Sequence, residues 1–235
     1  MGKKPALTCI GDPLNAQIIL FDTEYTAWEG SKARQWSELG EHREIIQIAA
    51  VRVALDEQLT ELACFDCLVK PKHNPILSAY ITALTGIQQA AVDTRGIGFP
   101  AAFAAFYAFC DQGRLPLFCY GDDPAVLQEN FVLNQMDPAA STERSSAGAE
   151  APLAVPAAFL AGIVDIRVMF EQAGIDTRQY TSGTVYQAVG AEFDQAAHNA
   201  LHDVRSLAVT IRQLAKTGQM DKNWGKAVLP SGIAL

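Results

Sequence analysis

Ile18-Ile19-Leu20-Phe21-Asp22-Thr23-Glu24 is a run of four apolar residues followed by two carboxylates one residue apart. Four apolar side chains in succession read as a strand buried on both faces. Side chains alternate along a strand, so Asp22 and Glu24 point to the same side. Two carboxylates aimed at one place repel each other unless positive charge lies between them. Oxygen ligands suit Mg²⁺ and Mn²⁺, so a divalent cation is the expected partner. A strand that merely enters a solvated loop would carry the same Asp-x-Glu, and the motif alone does not separate the two readings.

The rest of the chain sets limits. At 235 residues, 49% of them hydrophobic, it fits a single domain with a real core. That core is expected over about residues 17–216. No apolar run is long enough to span a bilayer, so no membrane association is expected. The N-terminal stretch carries Lys3 and Lys4, then breaks at Gly11-Asp12-Pro13, which is unlike a signal peptide. The expectation is a cytoplasmic protein. An odd count of five cysteines fits free thiols. Cys64 and Cys67 are three apart in an expected strand and face opposite sides, which argues against a zinc or redox pair. The net charge of −8 argues against a broad basic surface gripping long duplexes. It leaves room for a site that takes a strand end, because metal ions can supply positive charge locally.

Residues 25–42 are polar with Trp28 and Trp36, and read as a loop over one end of the sheet. Glu44 to Leu55 and Leu59 to Val69 read as an antiparallel pair of strands around the polar turn Asp56-Glu57-Gln58. Ser78 can cap a short helix that stops at Gly86, and Ile87 to Val92 forms another. Pro100 to Asp111 reads as a packed helix, and Leu115 to Tyr120 as a buried strand. Asp123-Pro124 is a helix-start signal, with the helix running to about Gln135. Asp137 to Ala158, rich in Ala, Ser, Pro and Glu, reads as a flexible insertion. Ile163-Val164 suggests a strand, with Asp165 capping a helix to Ala173. Thr184 to Val189 suggests a short helix. Ala200 to Leu214 carries Val204, Leu207, Ile211 and Leu214 on a helical period. Strands first and then alternating helices and strands give an α/β layered domain.

Two further stretches carry chemistry. His198-Asn199-Ala200-Leu201-His202-Asp203 has the form His-x-Ala-x-x-Asp. On one ideal helix His198 and Asp203 would be about 140° apart, since each residue turns the chain by roughly 100°. They converge if His198 lies in the loop before the helix and Asp203 in its first turns. His198 with His202 is an i, i+4 zinc spacing, but Asn199 stands where the zinc-protease motif needs its Glu. In Tyr120-Gly121-Asp122-Asp123-Pro124, a strand ends in glycine and acid and a helix begins. That places a carboxylate at the sheet edge where α/β ligands bind, although plain N-capping by Asp123 would also explain it.

Taken in order, the Asp-x-Glu strand, the mid-chain Asp opening a helix and the late His-x-Ala-x-x-Asp resemble the DEDD superfamily of 3′-to-5′ exonucleases, in its His-base (DEDDh) subtype. Ser78 to Ile87 (SAYITALTGI), Arg43 to Ala49 and Gly162 to Arg167 resemble further family segments. The resemblance implies a ribonuclease H-like α/β fold, a mixed sheet of about five strands flanked by helices. It implies that Asp22, Glu24, Asp123 and Asp203 hold two Mg²⁺ or Mn²⁺ ions, with Asp122 the alternate for the mid-chain ligand. His198 would be the general base. Leu84 and Thr85 would lie by the terminal nucleotide, and Thr23 and Tyr25 near its sugar and base. The implied partner is a single-stranded 3′ end. RNA is favoured through the Leu-Thr-Gly-Ile segment and the run Trp28 to Ser31, which look like the branch that trims small RNA. The alternatives are a proofreading-type DNA exonuclease and a catalytically silent nucleic-acid-binding protein on the same fold. The family includes dimers, so a homodimer stays open.

Overall fold

The computed structural model describes residues 16–135, 157–221 and Trp224. The expected insertion falls outside the described residues except for Ala157 and Ala158.

The opening run forms β1 (Gln17–Tyr25), and its position explains its composition. β1 pairs antiparallel with β2 (Ile45–Ala54), which pairs antiparallel with β3 (Glu61–Lys70). Between β1 and β2 lies a one-turn helix, α1 (Ser31–Arg34), in a stretch expected to be loop. After β3 come α2 (Ala79–Thr85) and α3 (Gln89–Arg95), then β4 (Ile97–Gly98) and α4 (Phe99–Phe109). β5 (Leu117–Cys119) leads into α5 (Asp123–Leu133). α6 (Ala157–Ala161), β6 (Ile163–Asp165), α7 (Arg167–Gln172) and α8 (Ala200–Thr217) complete the fold.

The sheet has six strands in the order β4-β3-β2-β1-β5-β6, with β1 and β2 at its centre. β5 and β6 run parallel to their neighbours, as does β4 along the end of β3. The strand missing from the expected count is β4, whose two residues are too few to show a pattern in sequence. Thr184 to Val189 forms a 3₁₀ turn over Val185–Val189 rather than an α-helix. Ser78 does cap α2, accepting from the Ile81 amide, and Gly86 ends that helix at φ 73°.

Alternation along β1 divides the interior in two. Ile19 and Phe21 face α4 and α5, in a cluster with Phe103, Phe106, Leu127 and Phe131. The rings of Phe103 and Phe131 meet edge to face at 4.7 Å. Ile18 and Leu20 face the other way, against Phe170, Val204, Leu207 and Ile211 of α7 and α8. Both faces of the central strand are therefore dry. Among the described residues, no helix is long and apolar enough to cross a membrane.

Polar clamps orient the elements. Asn130 is buried on α5, where its Oδ1 accepts from the Ile45 amide at 3.0 Å. Its Nδ2 donates to the Arg43 and Val126 carbonyls at 2.7 and 2.8 Å. This ties α5 to the start of β2. Glu44 is also buried, and its carboxylate accepts from the amides of Lys72, His73 and Asn74, which fixes the loop from β3 to α2. Asn130→Ala leaves the Ile45 amide and the Arg43 carbonyl unmet in the interior. It should lower unfolding stability by about 2–4 kcal/mol. Urea unfolding of parent and variant measures this, and superimposable curves would remove Asn130 as a clamp.

Candidate active site

β1 continues its alternation past the apolar run. Asp22 and Glu24 fall on the face of Ile18 and Leu20 and point toward α8. Thr23 falls on the opposite face, toward α5. The ladder with β2 stays in register through both carboxylates and shifts only between Glu24 and Tyr25, just past them.

α8 supplies the third acid. Asn199 caps the helix, its side chain accepting from the His202 amide at 3.3 Å. Asp203 lies in the first turn and is 2% exposed. Carboxylate oxygens of Asp22, Glu24 and Asp203 all lie within 4.8 Å of one another. Asp203 is held on both oxygens: Oδ2 accepts from the Ser182 hydroxyl at 3.0 Å, and Oδ1 from the His198 amide at 3.1 Å. His198 precedes the helix in the left-handed region at φ 65°, a conformation that histidine tolerates better than most residues. Its backbone is thereby anchored to Asp203. Among the described residues its imidazole has no hydrogen-bond partner. His202 points elsewhere, pairing its Nδ1 with the Ala196 carbonyl at 3.3 Å.

The mid-chain acid comes from α5. Asp122, not Asp123, occupies the N-cap position, and neither side chain caps the helix. The buried Asp123 carboxylate instead crosses to β1, where its Oδ1 accepts from the Thr23 amide at 3.0 Å and the Thr23 hydroxyl at 2.7 Å. β5 ends at Cys119, so Asp123 takes up a β1 amide beyond the end of the parallel ladder. The Asp122 side chain is 71% exposed and lies 3.7 Å from the Arg167 guanidinium. Of the two neighbours, Asp123 is the one beside the acids.

Electrostatics make the crowding plain. Burial pushes Asp22 well above the usual carboxylate range, and the charges of Asp123, Asp203 and Glu24 push the same way. Glu24 is raised by burial, then by Asp203 and Asp123. Asp203 is raised by burial, opposed by the Ser182 hydrogen bond. Asp123 is pushed up to about 7, chiefly by burial, against the pull of Thr23. Among the described residues, no lysine or arginine forms an ion pair with any of the four. An all-oxygen set of this density fits a hard divalent cation.

Burial pushes the Tyr25 hydroxyl up to about 12, with Asp123 the next cause. Its ring meets Trp36 edge-on at 5.6 Å, and the Arg43 guanidinium lies over both rings. Tyr25 and Asp122 open onto a cavity of about 780 Å³, also lined by Lys32, Trp36, Arg43 and Gln128. Leu84 and Trp36 each pack against the apolar cluster around Ile81 and Val92. The Thr85 hydroxyl is engaged within its own helix end, donating to the Ile81 carbonyl and accepting from the Ile87 amide. The Thr23 hydroxyl is likewise committed to Asp123.

Ser182 and Gly183 were not legible as site residues, because Thr181-Ser182-Gly183-Thr184 reads only as a polar turn. A Cβ on Gly183 would lie 2.4 Å from Asp203 Oδ1 and 2.8 Å from the Ala197 Cβ. Only glycine lets that backbone approach the carboxylate.

Comparison with known proteins bears on this geometry. Residues 19–117 match the exonuclease family RNase_T. That match contains Asp22 and Glu24 and ends before Asp123, so the convergence of the later residues is a result of the coordinates. The chain is 43% identical over 77 residues to the 3′-5′ exonuclease Snipper of Drosophila melanogaster, covering 33% of this chain and 26% of the relative. It is 27% identical over 217 residues to ERI1 exoribonuclease 2 of Mus musculus, covering 89% and 30%. The chain thus spans under a third of the length of these curated relatives. The nuclease domain of 3′hExo, a DEDDh family member solved with rAMP, superposes with a TM-score of 0.68 at 20% identity, over 90% of this chain and 98% of that one. This likeness establishes the ribonuclease H-like fold.

Two outcomes are expected. The raised acids bind protons more tightly folded than unfolded, so their contribution to stability is greatest below the unfolded value. For Asp123 it is lost as pH rises from its ordinary 3.8 through about 7. In EDTA, the melting temperature of Asp123→Asn relative to the parent should therefore climb across pH 4–7; a flat difference counts against the crowding. Gly183→Ala should displace Asp203 and shrink the Mn²⁺-induced rise in melting temperature. A full rise in that variant would show that the close approach is unimportant.

Proposed function

We propose that this chain is a metal-dependent 3′-to-5′ exonuclease that releases nucleoside 5′-monophosphates from single-stranded 3′ ends, with RNA as its substrate class. The observation that carries the reading is the meeting of Asp22 and Glu24 with Asp203, about 180 residues later, around a space that fits a cation, with His198 anchored beside it. The RNA assignment draws support from the mouse relative, named an exoribonuclease, and from the rAMP held by the 3′hExo domain.

Asp22, Glu24 and Asp203 would hold divalent metal, with Asp123 adding charge from the α5 side. Bound there, Mg²⁺ or Mn²⁺ supplies the Lewis acidity that phosphodiester hydrolysis needs. His198 accepts the proton of the attacking water on its imidazole, the side chain suited to proton transfer near neutral pH. Its amide contact with Asp203 keeps the ring close to the acids. Ser182 and Thr23 orient Asp203 and Asp123. Tyr25, which lines the cavity, would offer a surface to the terminal nucleotide, and Leu84 is assigned to the same nucleotide by the family resemblance.

Incubation of 5′-labelled single-stranded RNA and DNA with Mg²⁺, Mn²⁺ or EDTA tests the reading. A ladder shortening from the 3′ end of RNA, absent in EDTA, is expected. Shortening of DNA alone favours a DNA exonuclease, and no shortening of either favours a silent binder. Asp22→Ala and Asp203→Ala should abolish hydrolysis without unfolding the chain. His198→Ala should lose most turnover, on the order of 10²-fold or more, while retaining the metal-induced rise in melting temperature. Parental rates in any of these folded variants would sink that residue's role.

A further inference from the structure

We infer that Gln47 is a positioning residue, which bridges β3 to the first amide of α8 and so sets where Asp203 and His198 stand over Glu24. Its consequence for turnover rests on the exonuclease reading; the bridge itself does not.

Gln47 pairs directly with Glu24 in the β1–β2 ladder. Directly paired residues share a face of the sheet, so its side chain rises on the α8 side. It is buried, and both ends of its amide are engaged. Oε1 accepts from the Ala200 amide at 3.1 Å, and Nε2 donates to Asp66 Oδ1 on β3 at 2.8 Å. Ala200 is the first residue of α8, so its N–H has no acceptor within the helix. The chemistry fixes which way the amide points. Ala200 offers only a donor and Asp66 only acceptors, so the flipped amide would set donor against donor and acceptor against acceptor. Glutamate would keep the first bond, lose the second, and bring a carboxylate against Asp66 and across from Glu24.

Three first-turn donors of α8 have three different acceptors. The Asn199 side chain takes the His202 amide, and the Asn199 carbonyl takes the Asp203 amide. Gln47 takes the Ala200 amide, and it alone of the three belongs to the sheet. Further along, α8 rests on the sheet through Val204, Leu207 and Ile211. Apolar packing holds a helix at a distance but is not directional. The Gln47 bridge ties this turn to the sheet directionally, at a residue that lies between His198 and Asp203 in the chain. Misplacement of reacting groups by about 1 Å can cost on the order of 10²-fold in rate.

Three variants test the bridge. Gln47→Met keeps the volume and removes both hydrogen bonds. Gln47→Glu removes the donor to Asp66 and adds charge. Gln47→Glu combined with Asp66→Asn restores a donor–acceptor pair with its polarity reversed and the net charge unchanged. Amide hydrogen exchange over residues 200–204 is read in metal-free protein, and kcat and KM on labelled RNA at a temperature where every variant is folded. Both single variants should exchange faster in that turn and lose on the order of 10–100-fold in kcat with much less change in KM. The double variant should recover slow exchange and most of the kcat. Unchanged exchange in Gln47→Met, parental kcat in that variant, or a double variant no better than Gln47→Glu overturns the proposal. A parent that degrades neither RNA nor DNA refutes the exonuclease reading instead, and the exchange measurements then decide the bridge by themselves.

Discussion

Carboxylates withdrawn from water at one end of a sheet raise one another's affinity for protons, and the chain must hold them together against that repulsion. Asp22, Glu24, Asp123 and Asp203 are all buried, and each is pushed toward its neutral form. Such a cluster destabilises the metal-free fold near neutral pH. It persists because the elements that carry it are fixed by interactions elsewhere. β1 is paired on both edges and packed against apolar clusters on both faces. The acids therefore have little room to separate without breaking the centre of the domain.

The period of two along β1 organises the site. Even-numbered residues face α8 and odd-numbered residues face α5, so one strand addresses two helices at once. Asp22 and Glu24 meet Asp203 on one side, and Thr23 grips Asp123 on the other. A shift of one residue in register would send both acids into the phenylalanine-rich cluster and Thr23 toward α8. The long β1–β2 ladder makes that slip costly, and the irregularity after Glu24 lies beyond the acids.

Hydrogen-bond donors complete the arrangement. Ser182, the His198 amide and Thr23 supply directed partial positive charge to Asp203 and Asp123 without neutralising them. Full ion pairs with lysine or arginine would compete with a cation for the same oxygens. Two basic side chains of this region are engaged with other partners: Arg43 with Glu129, and Arg167 with Asp165.

Local sequence determined much of this. An apolar run ending in Asp-x-Glu dictates a buried strand with two acids on one side, because strand alternation is a property of the backbone. The helical period of Val204, Leu207, Ile211 and Leu214 dictates an amphipathic helix, whereas the place of His198 outside its first turn was left open by the sequence and decided by the Asn199 cap. Tertiary structure alone decided the rest. Asp123 looked like a cap for its own helix and instead reaches β1, because the open ladder position beyond β5 offers it an amide. Ser182 and Gly183 carry no motif, and the strand segment that holds Gln47 gives that residue no role; the importance of all three comes from touching a carboxylate or a helix end elsewhere in the chain. Backbone periodicity is written in neighbouring residues, whereas a hydrogen bond between residues 47 and 200 exists only once the sheet and the helix have packed.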